Sequence, residues 1–133
     1  IAPAALRRRV ADAALAYLGV QYRWGGKSSL GLDCSGLTFM AWFANGVLLY
    51  RDAQIVPGFP VREIPRETMD VADLLFFPGH VALYLGGGRY LHSTARAGSS
   101  GVVINSLEPQ APDYRYELAQ SLTAVGSVFP LEE

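Results

Sequence analysis

The 133 residues hold one cysteine, two histidines, two methionines and two tryptophans, and these scarcities bound the chemistry. A single thiol forms no intramolecular disulfide, so no covalent staple supports the fold. The count suits a reducing cytosol and equally an exported protein that needs one free thiol. Cys34, His80 and His92 are widely spaced, with no local Cys or His pair, so a zinc site lacks its usual ligand pattern and no metal or cofactor is expected. Charge is sparse too: 17% of residues are charged, the formal net charge is -1, and the densest cluster is Arg7-Arg8-Arg9. That excludes the broad basic field by which nucleic acid is held. Apolar runs such as Val81-Ala-Leu-Tyr-Leu85 fall far short of the roughly 20 residues that cross a bilayer, so no transmembrane segment is expected. Gly86-Gly87-Gly88 precedes neither a Lys-Ser or Lys-Thr pair nor a helix, which excludes a phosphate-binding loop.

What is present is a chain half composed of hydrophobic residues, enough for one domain, residues 1–133, to bury a core unaided. It begins at Ile1 with no basic-then-apolar leader, and reads as a processed form or an excised domain. Leu6, Val10, Ala14 and Leu18 recur at spacings of four and Gly19 follows, which predicts an amphipathic helix over 4–18 with arginines on its outer face. Residues 22–32 are turn-rich and read as an irregular loop. A second helix starts at about Cys34, buries Leu37, Met40, Ala41 and Ala44 together with Phe39, Trp42 and Phe43, and ends at Asn45-Gly46. It is expected to be almost wholly interior. Residues 51–68, with three prolines, read as an irregular connector. Residues 74–77, 81–85, 89–92 and 102–105 read as strands of an antiparallel meander, and 125–129 as a last strand, while 111–119 fit no single element. Helices first and strands later give an α+β fold.

Cys34 lies between Asp33 and Ser35, where a glycine-rich loop gives way to the second helix. A thiol near its reference pKa of about 8.5 is mostly protonated at neutral pH, and the thiolate is the attacking species. A helix N-terminus favours the anion by about 0.3 to 1 kcal/mol, under one pKa unit. A histidine beside the thiol does more, so a nucleophilic Cys34 requires His80 or His92 to reach it. Both histidines fall in one hairpin. Centred on Gly87, that hairpin sets His92 opposite Ala82 with His80 as a diagonal neighbour on the same face; centred on Gly86, it pairs them directly. A two-residue turn would send them to opposite faces unless a bulge restored the phase. Three glycines favour the longer loop and a shared face. His80 is then the general base and His92 the group that orients it. The N-terminus of the Cys34 helix is expected to dock on a packing face beside the pair. Plainer roles compete: a lone cysteine is often a buried structural residue, Asp33 and Ser35 are N-cap candidates, and Phe39, Trp42, Phe43, Phe76 and Phe77 read as core.

Five blocks in order, Tyr22-Arg-Trp-Gly-Gly-Lys27, Leu32-Asp-Cys-Ser-Gly-Leu37, Ala72-Asp-Leu-Leu-Phe-Phe77, His80-Val-Ala-Leu-Tyr-Leu-Gly86 and Tyr90-Leu-His92, resemble those of the NlpC-type cysteine peptidases across roughly residues 5–129. The resemblance implies a papain-like α+β fold, with the nucleophilic cysteine opening a helix packed on an antiparallel sheet. It implies a bacterial cell-wall hydrolase that cleaves the bond between D-γ-glutamate and a diamino acid in peptidoglycan stem peptides or muropeptides. Carried over by position, Cys34 matches the nucleophile, His80 the base and His92 the orienting polar residue. Tyr22 matches a tyrosine that helps hold the oxyanion, and Asp33 and Ser35 match contacts to a free L-alanine amine. It further implies the cell envelope or secretion, or cytoplasmic wall recycling, and an upstream wall-binding or cleft-closing domain. Amidase, transpeptidase or other acyltransferase chemistry, and a non-enzymatic wall-binding module, are the alternatives on the same scaffold.

Overall fold

The computed structural model describes residues 3–20, 22, 27–28, 31–32, 34–45, 61–94 and 101–128. Helix α1 (Pro3–Leu15) is followed by the two-residue strands β1 (Lys27–Ser28) and β2 (Gly31–Leu32), then helix α2 (Cys34–Phe43). Strands β3 (Arg62–Ile64), β4 (Leu74–Phe77), β5 (His80–Gly86), β6 (Arg89–Thr94) and β7 (Gly101–Ser106) follow, with a 3-10 turn at Arg66–Thr68; helix α3 (Tyr116–Ser121) and strand β8 (Ala124–Ser127) close the described chain. β3 through β8 form one antiparallel sheet in the order β3-β8-β4-β5-β6-β7. The expected meander is β4 to β7; β8 returns to lie beside β4. The fold is α+β, as the order of patterns predicts.

The sheet is buried on both faces. Leu74, Phe76, Val81, Leu83, Leu91 and Val102 meet Leu6, Val10 and Ala14 of α1 and Leu37, Ala41 and Trp42 of α2. On the other face Leu75, Phe77, Ala82, Tyr90, Leu122 and Val125 form a smaller cluster. This explains why β4 is an unbroken apolar run, Leu-Leu-Phe-Phe, rather than an alternation. Each large aliphatic side chain fully buried here contributes roughly 1.5 to 3 kcal/mol of transfer free energy.

Several local expectations are corrected. α1 ends at Leu15, three residues early, because the chain turns there and Gly19 takes φ 90°; Leu18 consequently stands 52% exposed. The segment after it is tied to the sheet edge, Gly19 N–H donating to Val102 O and Val102 N–H to Val20 O. Arg7 does not lie on an outer face but turns inward to the buried carboxylate of Asp73, at 2.8 Å. α2 is not wholly interior, since Phe43 is 55% exposed and stacks on the half-buried Phe39 with ring centroids 5.7 Å apart, and Ala44 is exposed. The 22–32 stretch carries the small hairpin β1–β2, with Lys27 paired to Leu32. In the connector, β3 pairs with β8. Of 51–68, residues 51–60 lie outside the described residues, as does 129, the expected end of the last strand.

Candidate active site

Cys34 is the first residue of α2 and is half-buried. Its thiol donates to the carbonyl oxygen of Gly79 over 4.0 Å. Gly79 belongs to the two-residue turn between β4 and β5, where Phe77 pairs with His80. Proline sets φ near -65° at Pro78, and Gly79 takes φ 65°, the residue pattern of a type II turn. The thiol therefore rests against the peptide unit that leads directly into His80. α2 covers the face of the sheet formed by Val81 and Leu83, whereas His80 and His92 project to the opposite face with Ala82 and Tyr90. The N-terminus of α2 thus docks beside the pair, as expected, and does so at the tip of the β4–β5 hairpin.

The histidines do share one face, by the tighter of the two routes. Gly86 pairs with Arg89 across a two-residue turn at Gly87-Gly88, both at positive φ, and a bulge between Tyr84 and Gly86 restores the phase so that Leu83 pairs with Leu91. The longer loop is not used. His80 Nε2 lies 2.8 Å from His92 Nδ1, the rings meeting edge to face. Phe77 packs on His80 and Tyr90 on His92, fixing both rings.

On β7, Tyr90 pairs with Asn105 and His92 with Val103, so Asn105 is the diagonal neighbour of His92 on the same face. His92 Nε2 is 2.7 Å from Asn105 Oδ1, and Asn105 Nδ2 donates to the carbonyl oxygen of Asp113 at 2.8 Å. Asn105 was not among the residues singled out from the sequence. Its one signal there is an amide closing the otherwise aliphatic run Val102-Val-Ile, in a strand environment that disfavours asparagine.

Burial, then repulsion from His92 and from Arg115, pushes the His80 pKa down to about 3. His92 is lowered to about 4, chiefly by burial; the Asn105 hydrogen bond and Glu117 oppose that shift and Arg115 adds to it. Arg115 is itself held by Glu117 Oε2, at 2.9 Å from Nε, and by Thr94 Oγ1. Both imidazoles are uncharged at neutral pH.

Tyr22 is half-buried in an isolated bridge position. Asp33 lies outside the described residues, and of Ser35 only the backbone, in the first turn of α2, lies within them. Among the described residues no three His, Cys, Asp or Glu side chains are placed to hold a metal ion. A groove beside Arg89, Ser106, Glu108 and Asp113 is lined by none of Cys34, His80 and His92.

Residues 19–120 match the sequence profile of the NlpC/P60 family. The chain belongs to the NlpC/P60 family. Dipeptidyl-peptidase 6 of Lysinibacillus sphaericus is 55% identical over 125 residues, which are 94% of this chain and 45% of that protein. The gamma-D-glutamyl-L-lysine dipeptidyl-peptidase of Bacillus subtilis is 42% identical over 87 residues, 58% of this chain and 28% of that protein. The chain thus spans less than half the length of these curated relatives. Among solved structures, the peptidoglycan hydrolase RipB of Mycobacterium tuberculosis superposes with a TM-score of 0.73 at 28% identity, over 96% of this chain and 68% of that one. The papain-like α+β architecture is that of these NlpC/P60 neighbours. Among the described residues no helix is long and apolar enough to cross a membrane.

Proposed function

We propose that this NlpC/P60 chain is a cysteine endopeptidase that hydrolyses the bond between D-γ-glutamate and a diamino acid in peptidoglycan stem peptides or muropeptides. The observation that carries the reading is the 2.8 Å hydrogen bond between His80 and His92 on the strand that begins where Cys34 touches Gly79. A relative named for gamma-D-glutamyl-L-lysine cleavage supports the substrate class.

In this mechanism Cys34 passes its proton to His80 and the resulting thiolate attacks the γ-glutamyl carbonyl carbon. Since the resting imidazole is neutral, His80 acts as a base, and the charged pair exists only once that proton has moved, with the thiolate as counter-ion. The tetrahedral oxyanion is held by the Cys34 backbone N–H and the Tyr22 hydroxyl. His80 returns the proton to the leaving amine, a thioester remains, and water, deprotonated by His80, releases the glutamyl acid and restores the thiol. His92 keeps the His80 ring in place. Asp33 and Ser35 bind the free L-alanine amine, the aspartate by a charge-assisted hydrogen bond. The site of action is the cell envelope or its exterior, or cytoplasmic wall recycling, with an upstream wall-binding or cleft-closing domain outside these 133 residues.

Cys34→Ala is expected to abolish release of the diamino acid from L-Ala-γ-D-Glu-L-Lys, followed by mass spectrometry, with an unchanged circular dichroism spectrum. Retained cleavage by that variant removes Cys34 from the mechanism. A condensed product with an added amine, in place of the hydrolysed acid, makes the chain a transferase.

A further inference from the structure

We infer that Asn105 is a positioning residue that, through His92, dictates which nitrogen of His80 is free to accept a proton. The inference rests on the reading of His80 as the base. A backbone carbonyl can only accept, so the oxygen of Asp113 orients the Asn105 amide with Nδ2 toward it and Oδ1 toward His92. Ser106 N–H also donates to that carbonyl, at 3.1 Å, which anchors the loop end on β7. Oδ1 in turn can only accept, so His92 Nε2 carries a proton and, in the neutral ring, Nδ1 is bare. The bare Nδ1 faces His80 Nε2 at 2.8 Å, so that nitrogen carries a proton and donates. Nδ1 of His80 is left as the lone pair.

Nδ1 is the ring nitrogen closer to the residue's own backbone, and Cys34 Sγ lies against the carbonyl of the preceding residue, Gly79. The proton order thus offers the thiol an acceptor rather than a competing donor. Reversal of the order, with His92 protonated at Nδ1, would make His80 Nε2 the acceptor and put a proton on His80 Nδ1, blocking transfer from Cys34. A fixed amide at the far end of the relay excludes that alternative. The other titratable groups facing His92 are the neutral His80 on β5 and the charged Arg115 and Glu117 around the start of α3; the Tyr90 ring covers it from its own strand.

The test is nitrogen-15 NMR of the histidine rings together with steady-state kinetics on the same stem peptide. In the unsubstituted chain both rings are expected as Nε2–H tautomers at neutral pH, with a slowly exchanging Nε2–H proton on His92. Asn105→Leu is expected to lose that slow exchange and to lower kcat by about ten- to a hundredfold, the range seen when the hydrogen-bond partner that orients a metal-binding histidine is removed in other proteins, with KM within about twofold. Asn105→Asp keeps the acceptor, so its His92 Nε2–H signal and more of its kcat persist, and the acid limb of its pH profile moves upward. Nδ1–H on either ring of the unsubstituted chain overturns the inference even if Asn105→Leu fails to fold. So does a kcat for Asn105→Leu within twofold of the parent. Persistent cleavage by Cys34→Ala, with both rings still Nε2–H, overturns instead the role given to the thiol.

Discussion

Ala72 holds φ 74°, the only described non-glycine residue in the left-handed region, and it is fully buried among the α1- and α2-facing side chains. Its N–H donates to Tyr84 O at 2.8 Å, which locks the entry to β4 against β5. The left-handed conformation costs an L-residue about 1 to 2 kcal/mol. Glycine would relieve that, yet would remove a buried methyl worth roughly 0.8 kcal/mol and add about 0.4 to 1 kcal/mol of unfolded-chain entropy. These oppose and nearly cancel, so Ala72→Gly is expected to change the urea unfolding free energy by less than about 1 kcal/mol. Ala72→Val, β-branched at positive φ in a filled core, is expected to lose about 2 kcal/mol or more. A glycine variant destabilised as much as the valine variant would show that methyl packing, not backbone strain, governs the position. Nothing in the order Val71-Ala-Asp73 announces positive φ, since the usual signal for it is glycine. Asn105 was partly legible as the polar exception of its strand, but its partners come from β6 and from the carbonyl of residue 113.

Arg7 of α1 reaches across to the segment before β4, donating to Asp73 Oδ1 and to Val71 O, each at 2.8 Å. Asp73 is fully buried and also accepts from the N–H of Asp70, so one carboxylate closes the turn and receives the helix. Through β4 this staple helps position the Pro78-Gly79 turn on which Cys34 rests. Removing the cation leaves an uncompensated buried charge, and Arg7→Met is expected to destabilise by about 3 kcal/mol. The loss should persist in 0.5 M salt, because the pair is shielded from counter-ions. An effect below about 1 kcal/mol, or one that vanishes in salt, would mean that the pair behaves as a surface ion pair. Periodicity put Arg7 on the helix surface, and α1 does run along its predicted stripe of Leu6, Val10 and Ala14. A long side chain at the edge of that stripe can turn either way, and only the arrival of Asp73 draws it in. The β5–β6 hairpin teaches the same lesson. Three glycines announced a turn, but the choice between a long loop and a tight turn with a bulge fell to the sheet, which must bury Leu83, Leu91 and Tyr90 on their proper faces.

Two neutral imidazoles, His92 buried and His80 half-buried, make the stability of the entire domain sensitive to acid. Their pKa values, about 3 and about 4, lie below the ordinary 6.5, so between those limits the unfolded chain binds more protons than the folded one. Stability therefore rises with pH through that window: it is fully present above about 6.5 and is lost as pH falls toward 4 and then 3. The midpoint of urea unfolding is expected to drop steadily from pH 7 to pH 4, and His92→Gln is expected to flatten the profile by removing one of the two titrations. A midpoint that stays constant or increases as pH falls from 6.5 to 4 would contradict the uncharged state of the pair. The same enclosure gives the sheet two cores, one under α1 and α2 and a smaller one around Phe77, Tyr90 and Val125, with the histidines at the rim of the second.

By itself the sequence determined the α+β class, the meander, the helix that Cys34 opens and the identity of the lone thiol and two imidazoles, because these follow from local periodicity, turn residues and residue chemistry. Tertiary structure alone decided that a bulge keeps the imidazoles in phase, that the N-terminus of α2 meets Gly79, next to His80, at a hairpin tip, and that Asn105 and the carbonyl of Asp113 continue the line of hydrogen bonds beyond His92. Those outcomes depend on strand register and on donors and acceptors from distant segments, and a hydrogen bond between residues 13 apart or an ion pair between residues 66 apart leaves no periodic trace along the chain.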